Sequence, residues 1–207
     1  MFQKIFNPDN ALMITMAQIT DCIFLSLFFI LGCIPVITAG ASFAALYDAV
    51  YHGLRKGDKH CWQRFVRTFR QNLKGSILPA MVVLAVFALG TKGLIALWNS
   101  LAAGNLSWLL FSAGTFVAVL LLGILSVTFP LLSRFETGTA QLLRNTVLLG
   151  IANAPRALAL GIVNALCIFL CVRYIFPLFF LPALAALIGT LFLEPMFKPY
   201  MPSEDAA

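Results

Sequence analysis

Of the chain's 207 residues, 61% are hydrophobic and only 11% charged, whereas soluble domains carry about 25% charged residues and one this small exposes too much surface to hide so many apolar side chains. That balance excludes a soluble enzyme, a disordered chain, a collagen and a coiled coil, and predicts an all-α, polytopic transmembrane helical bundle folded as a single membrane domain over 1–207. The net charge of +6 is local, because residues 55–74 hold seven Lys and Arg against Asp58 alone and the remainder is neutral; a basic loop beside apolar spans marks a cytoplasmic loop rather than a nucleic-acid surface.

A crossing helix needs about 20 mostly apolar residues, and the first such stretch is 15–37. The small residues Ala39, Gly40 and Ala41 follow it, but a leader cleaved there would exceed the usual length of roughly 15–30 residues, so the segment is expected to be a retained helix. Residues 42–54 (SFAALYDAVYHGL) form a helical segment too short to cross unaided. As a re-entrant or interfacial helix it gives five spans, the expected number; as a return across the membrane it gives six. The later spans are expected at 76–99, 106–133, 157–172 and 177–193, with an uncharged turn between the second and third.

The charged connectors orient this stack. Residues 55–75, and 134–156 with Arg134, Arg144 and Arg156 against Glu136, are expected on the cytoplasmic side together with the C-terminus. A faint echo links the two halves. Pro35 and the stretch PVITAGASFAAL lead to FRQN and the second span, as Pro130 and PLLSRFETGTAQ lead to LLRN and the fourth. This predicts two repeats of span, cytoplasmic helix and span running in the same direction.

Within the cytoplasmic amphipathic segment 42–75, the most specific pattern is HCWQRFVRTFRQNLK at 60–74. At about 100° per residue, Trp62, Phe65, Val66, Phe69 and Leu73 share one arc, and Arg64, Arg67, Arg70 and Lys74 lie opposite. Such a helix sets its aromatics at the acyl boundary and its cations over the anionic inner leaflet; the same cations can also dock an acidic partner. Asp21 and Lys92, the charges inside spans, would sit at matching depth in a five-span topology and pair there, or line a polar path. Asp48 and His52 are one helical turn apart and within reach of a shared hydrogen bond. Arg134 and Glu136 read as boundary residues at the inner end of the third span.

Five scattered cysteines give no disulfide framework, and Cys167 and Cys171, one turn apart, are expected to pack rather than bind metal. No protease, hydrolase or phosphate-loop motif occurs. Catalytic residues, metal and cofactors are therefore expected to be absent.

The stretch CIPVITAGASFAALYDAVYH, then FVRTFRQNLKGSI, then FPLLSRFETGTAQLLRNTVLLGI, resembles the YesL-like bacterial membrane proteins, most specifically at Pro35, Thr38, Gly40, Ala45, Leu46 and Phe69–Asn72, with Asp48 and Arg134 as further motif positions. The resemblance implies a multi-pass protein of the bacterial plasma membrane with no assigned chemistry. Genes of that family often accompany carbohydrate uptake systems and two-component sensors, which implies a non-enzymatic accessory or regulatory subunit whose partner is an ABC-type sugar importer or a sensor kinase. A small solute or ion transporter using Asp21 and Lys92 is the alternative.

Overall fold

The computed structural model describes residues 11–58, 60–104, 107–135 and 138–200. Among these residues eight α-helices carry the fold: α1 (Ala11–Cys33), α2 (Ala39–Val50), α3 (Cys61–Ala102), α4 (Trp108–Ser126), α5 (Thr128–Arg134), α6 (Thr139–Ala152), α7 (Ala154–Arg173) and α8 (Leu181–Phe197). Among the described residues there is no strand. Four stretches, Met16–Cys33, Cys61–Ala102, Trp108–Arg134 and Ala154–Arg173, are long and apolar enough to cross a membrane, and Leu181–Phe197 is a shorter apolar helix. Exposed Phe24 and Leu31 on α1, Leu78, Met81 and Leu89 on α3, and Leu166 and Phe169 on α7 present surface that lipid satisfies and water does not.

Breaks in the helices follow from local chemistry. Pro35 disfavours helical backbone at Ile34, so α1 stops at Cys33. The Thr38 hydroxyl donates to the carbonyls of Gly32 at 2.7 Å and Pro35 at 2.8 Å, satisfying acceptors that a helix end leaves open. A 3-10 turn, Val36–Thr38, then reverses the chain into α2. Ten of the twelve residues of α2 are buried. Its small side chains, with Ala41, Ala44, Ala45 and Ala49 wholly enclosed, let α1, α3, α5 and α8 close around it. A helix laid on the bilayer surface would leave one face open, and α2 has no such face.

Neighbour pairs give the directions. Phe28 packs on Phe65 with ring centroids 5.9 Å apart, and a side chain at Gly32 would meet Phe69, so α1 and the start of α3 run parallel. The chain returns between them through α2, from Gly40 beside Ala80 to Gly53, just past the end of α2, beside Cys61. Trp98 and Phe111, 5.7 Å apart, close α3 and α4 into a hairpin. Gly150 abuts Ile124, so α6 runs back along α4. Helix α7 then follows the direction of α4: Gly161 lies on Val119 and Gly123, and the Asn164 amide donates to the Ser126 hydroxyl at 3.0 Å.

Each half is thus a long helix, a return helix and a second long helix parallel to the first. The α3–α4 hairpin inverts one half relative to the other, so the echo of the two halves is an inverted one, in contrast to the same-direction repeat expected. Their breaks meet where Gly40 touches Phe129 and Phe43 stacks on Phe129 at 5.5 Å.

Besides the stop of α1 at Cys33 and the shift of the last apolar helix to Leu181–Phe197, three boundaries differ from expectation. The cationic segment and the second span are one continuous helix of 42 residues, about 63 Å long at 1.5 Å per residue, twice the hydrocarbon thickness of about 30 Å. The third stretch breaks at Val127 into α4 and α5. The connector 134–156 contains α6 and leads directly into α7.

Candidate functional site: polar networks on two faces of the central helix

Helix α2 carries consecutive polar residues to opposite neighbours. Asp48 faces α3: its Oδ2 accepts from Thr68 Oγ1 at 2.8 Å and from Arg64 Nε at 3.0 Å, and its Oδ1 lies 3.1 Å from His52 Nδ1. Arg64 also reaches Asp58 at 3.6 Å. Burial by itself would push the pKa of Asp48 up, but the hydrogen bonds from His52 and Thr68 and the charge of Arg64 outweigh it and hold the carboxyl below its usual range. Asn72 steadies the same turn by donating to the Thr68 carbonyl at 3.0 Å.

Tyr47 faces the other way. Its hydroxyl donates to Glu194 Oε1 at 2.7 Å, and Arg134 Nη2 donates to the same oxygen at 2.7 Å. Burial, reinforced by the negative charge of Glu194, pushes the Tyr47 phenol far up, so it remains a donor. The Arg134 guanidinium lies 4.1 Å from the centroid of the Tyr51 ring. After Val50 the helix widens into a π turn, Tyr51–Arg55, with the Lys56 N–H donating to the Tyr51 carbonyl five residues back at 3.1 Å. This wide turn gathers Arg55 and Lys56 around Tyr51, at 5.8 and 5.3 Å from its centroid.

The sequence singled out Asp48, His52, Arg64 and Arg134, and the structure joins the first three directly. Arg134 is not the boundary residue expected: its side chain is 14% exposed and ion-paired. Its expected companion Glu136 lies outside the described residues. Tyr47, Tyr51, Thr68 and Glu194 were missed. For Thr68 the signal was its place one turn beyond Arg64. Tyr47 and Glu194 are 147 residues apart, and no local spacing announces them.

Asp21 and Lys92 do not meet. Asp21 Oδ2 lies 3.8 Å from Cys61 Sγ, at the first residue of α3. Lys92 is exposed on the same helix, 31 residues further on and therefore about 46 Å away along its axis. The matching depth failed because α1 runs parallel to α3 instead of antiparallel to its apolar half.

The cationic helix is also corrected. Phe65 is buried, and Val66 and Phe69 pack against the same cluster as Leu25 and Val50. Protein, instead of the acyl boundary, covers the aromatic face; only Trp62 stays exposed, at 54%. With Arg64 committed to Asp48, the exposed stripe is Arg67, Arg70 and Lys74, which make no ion pair or hydrogen bond among the described residues.

In both networks the hydroxyl, Thr68 in one and Tyr47 in the other, donates to a carboxylate that an arginine also holds. Among the described residues no three His, Cys, Asp or Glu side chains gather around a common metal position. A separate crevice between α3 and α4, lined by Val86, Phe87, Gly90, Ala118 and Leu122, is apolar. The two networks clamp α2 to α3, α5 and α8 while leaving the cationic stripe outward.

No curated protein and no solved structure matches this chain. Residues 22–91, from within α1 through α2 and most of α3, match the family model described as "Protein of unknown function, DUF624". The matched segment contains the whole Asp48 network and the cationic stripe, and ends before Arg134 and Glu194.

Proposed function

We propose that this chain is a non-enzymatic accessory or regulatory subunit of the bacterial plasma membrane, associated with carbohydrate uptake, that docks an acidic partner through Arg67, Arg70 and Lys74. One observation carries the reading. The aromatic face that would have sunk this helix into a bilayer is spent on α1 and α2, while the opposite face keeps three exposed cations without a partner among the described residues. A helix held this way presents its charge to something outside. The resemblance to YesL-like proteins supports an ABC-type sugar importer or a sensor kinase as that partner.

The experiment is purification from the native membrane in mild detergent. The account expects stoichiometric recovery with an importer or sensor, lost in Arg67→Glu/Arg70→Glu/Lys74→Glu. Recovery of the charge-reversed protein with the same partner refutes it.

A second reading, solute or ion transport, is favoured by the two inverted halves meeting at Gly40 and Phe129, since inverted repeats with broken helices at their interface are a transporter trait. It loses its proposed residues, because Asp21 and Lys92 lie far apart. Solute movement by the isolated protein in liposomes would favour it over docking.

A further inference from the structure

We infer that Arg55, Lys56 and Arg134, the cations grouped around Tyr51, form a binding site for a phosphate group. Three cations stand within 5.8 Å of one ring centroid, and among the described residues the carboxylate in contact with this group is Glu194. Three positive charges against one negative leave a local surplus of two. Like charges so close repel unless an anion lies among them. The other acids near α2 are already engaged: Asp48 and Asp58 are both held by Arg64. Glu194 is itself saturated on one oxygen by Tyr47 and Arg134 and is 6% exposed, so it does not screen the outer two cations.

Two independent features point to a ligand. The Nε of Arg134 is buried with no hydrogen-bond partner, although a buried guanidinium donor ordinarily finds one. The π turn that aims Arg55 and Lys56 at this ring is an uncommon conformation that recurs at functional sites. Arg55 is further fixed by donating to the Thr190 carbonyl at 3.0 Å, so its guanidinium is oriented in advance. Guanidinium forks and an ammonium grouped about one ring offer charged donors suited to the oxygens of a phosphate. Arg55 and Lys56 are exposed and Arg134 is not, so the group enters from the solvent side and is met last by the buried arginine. The phosphate belongs either to an anionic lipid headgroup or to a free phosphate compound.

The test uses the full chain, in a neutral maltoside and in nanodiscs of phosphatidylcholine with or without phosphatidylglycerol. The midpoint of thermal unfolding is followed against inorganic phosphate at constant ionic strength in chloride, and against the phosphatidylglycerol fraction. A saturable rise is expected in at least one arm: with inorganic phosphate the ligand is a soluble phosphate, and with phosphatidylglycerol alone it is a headgroup. Arg55→Ala/Lys56→Ala should raise the half-saturating concentration about tenfold or more, since charge-assisted contacts are lost. Arg67→Ala/Arg70→Ala should leave it within about twofold, because both side chains are exposed on α3 and screened by solvent and salt. Should the double variant prove unstable, Lys56→Ala alone carries the test in the same direction. No saturable rise in either arm overturns the site, as does a rise kept by the Arg55/Lys56 variants or lost equally in Arg67→Ala/Arg70→Ala.

Discussion

Removing the Glu194 carboxylate should strand two buried donors at once. In the folded protein one oxygen of Glu194 accepts from Tyr47 and from Arg134, each at 2.7 Å. Glu194→Ala leaves Arg134 charged, 14% exposed on its side chain, and with an Nε that already lacks a partner. Breaking a buried pair by deleting one member costs about 3–5 kcal/mol. The Tyr51 ring 4.1 Å from the guanidinium still offers about 1–2 kcal/mol of cation–π attraction, so the lower end, about 3 kcal/mol, is expected. Tyr47→Phe removes a hydrogen bond to a charged acceptor and should cost about 1.5–3 kcal/mol. Glu194→Gln/Arg134→Met removes both charges at similar volume and should fall closer to the parent than Glu194→Ala does. Unfolding by denaturant titration in detergent micelles measures all four proteins. A cost below about 1 kcal/mol for Glu194→Ala, or a double variant worse than that single one, would refute the clamp.

Other substitutions probe other contacts. A Cβ at Gly123 would collide with the carbonyl oxygen of Ala157 and lie 2.7 Å from its carbon, and one at Gly161 would strike the Val119 backbone; either change to Ala should cost about 1–3 kcal/mol or more. Gly93 has nothing within 4 Å of such a Cβ, and Gly93→Ala should be neutral or stabilising by about 0.5–1 kcal/mol; thermal unfolding in one detergent compares them. Asp48→Asn should destabilise the protein at neutral pH. Because the folded carboxyl is held below its ordinary value of about 3.9, its contribution is fully present above that pH and fades as pH falls through the lower folded value. The stability gap between parent and variant should therefore close only in strong acid. Lys92→Ala should change stability by less than about 0.5 kcal/mol, as for an exposed side chain; a larger loss would contradict its exposed placement on α3.

What was legible in the sequence was what lies within a turn or two of helix. Asp48 and His52 were readable from their spacing, as were the apolar helices and the break at Pro35. The apolar arc of Phe65, Val66 and Phe69 was also read correctly as an arc. Periodicity reports that a face is apolar, though, and is silent on whether lipid or a neighbouring helix covers it. That ambiguity sent these aromatics to the bilayer when Phe28 and Val50 cover them. The Tyr47–Glu194–Arg134 contacts span 147 and 60 residues and follow from α8 crossing α2, a tertiary choice without a local signature. The pairing of Asp21 with Lys92 failed for a related reason. It assumed that successive long helices alternate in direction, whereas the buried α2 takes the return and frees α1 and α3 to run parallel.

The role assigned to the cationic stripe is tested most directly by a photo-crosslinking residue placed at Arg70 in the native membrane. The account predicts a single protein adduct of defined mass from position 70 and none from position 92. Adducts to lipid alone, or equal protein adducts from both positions, would contradict it.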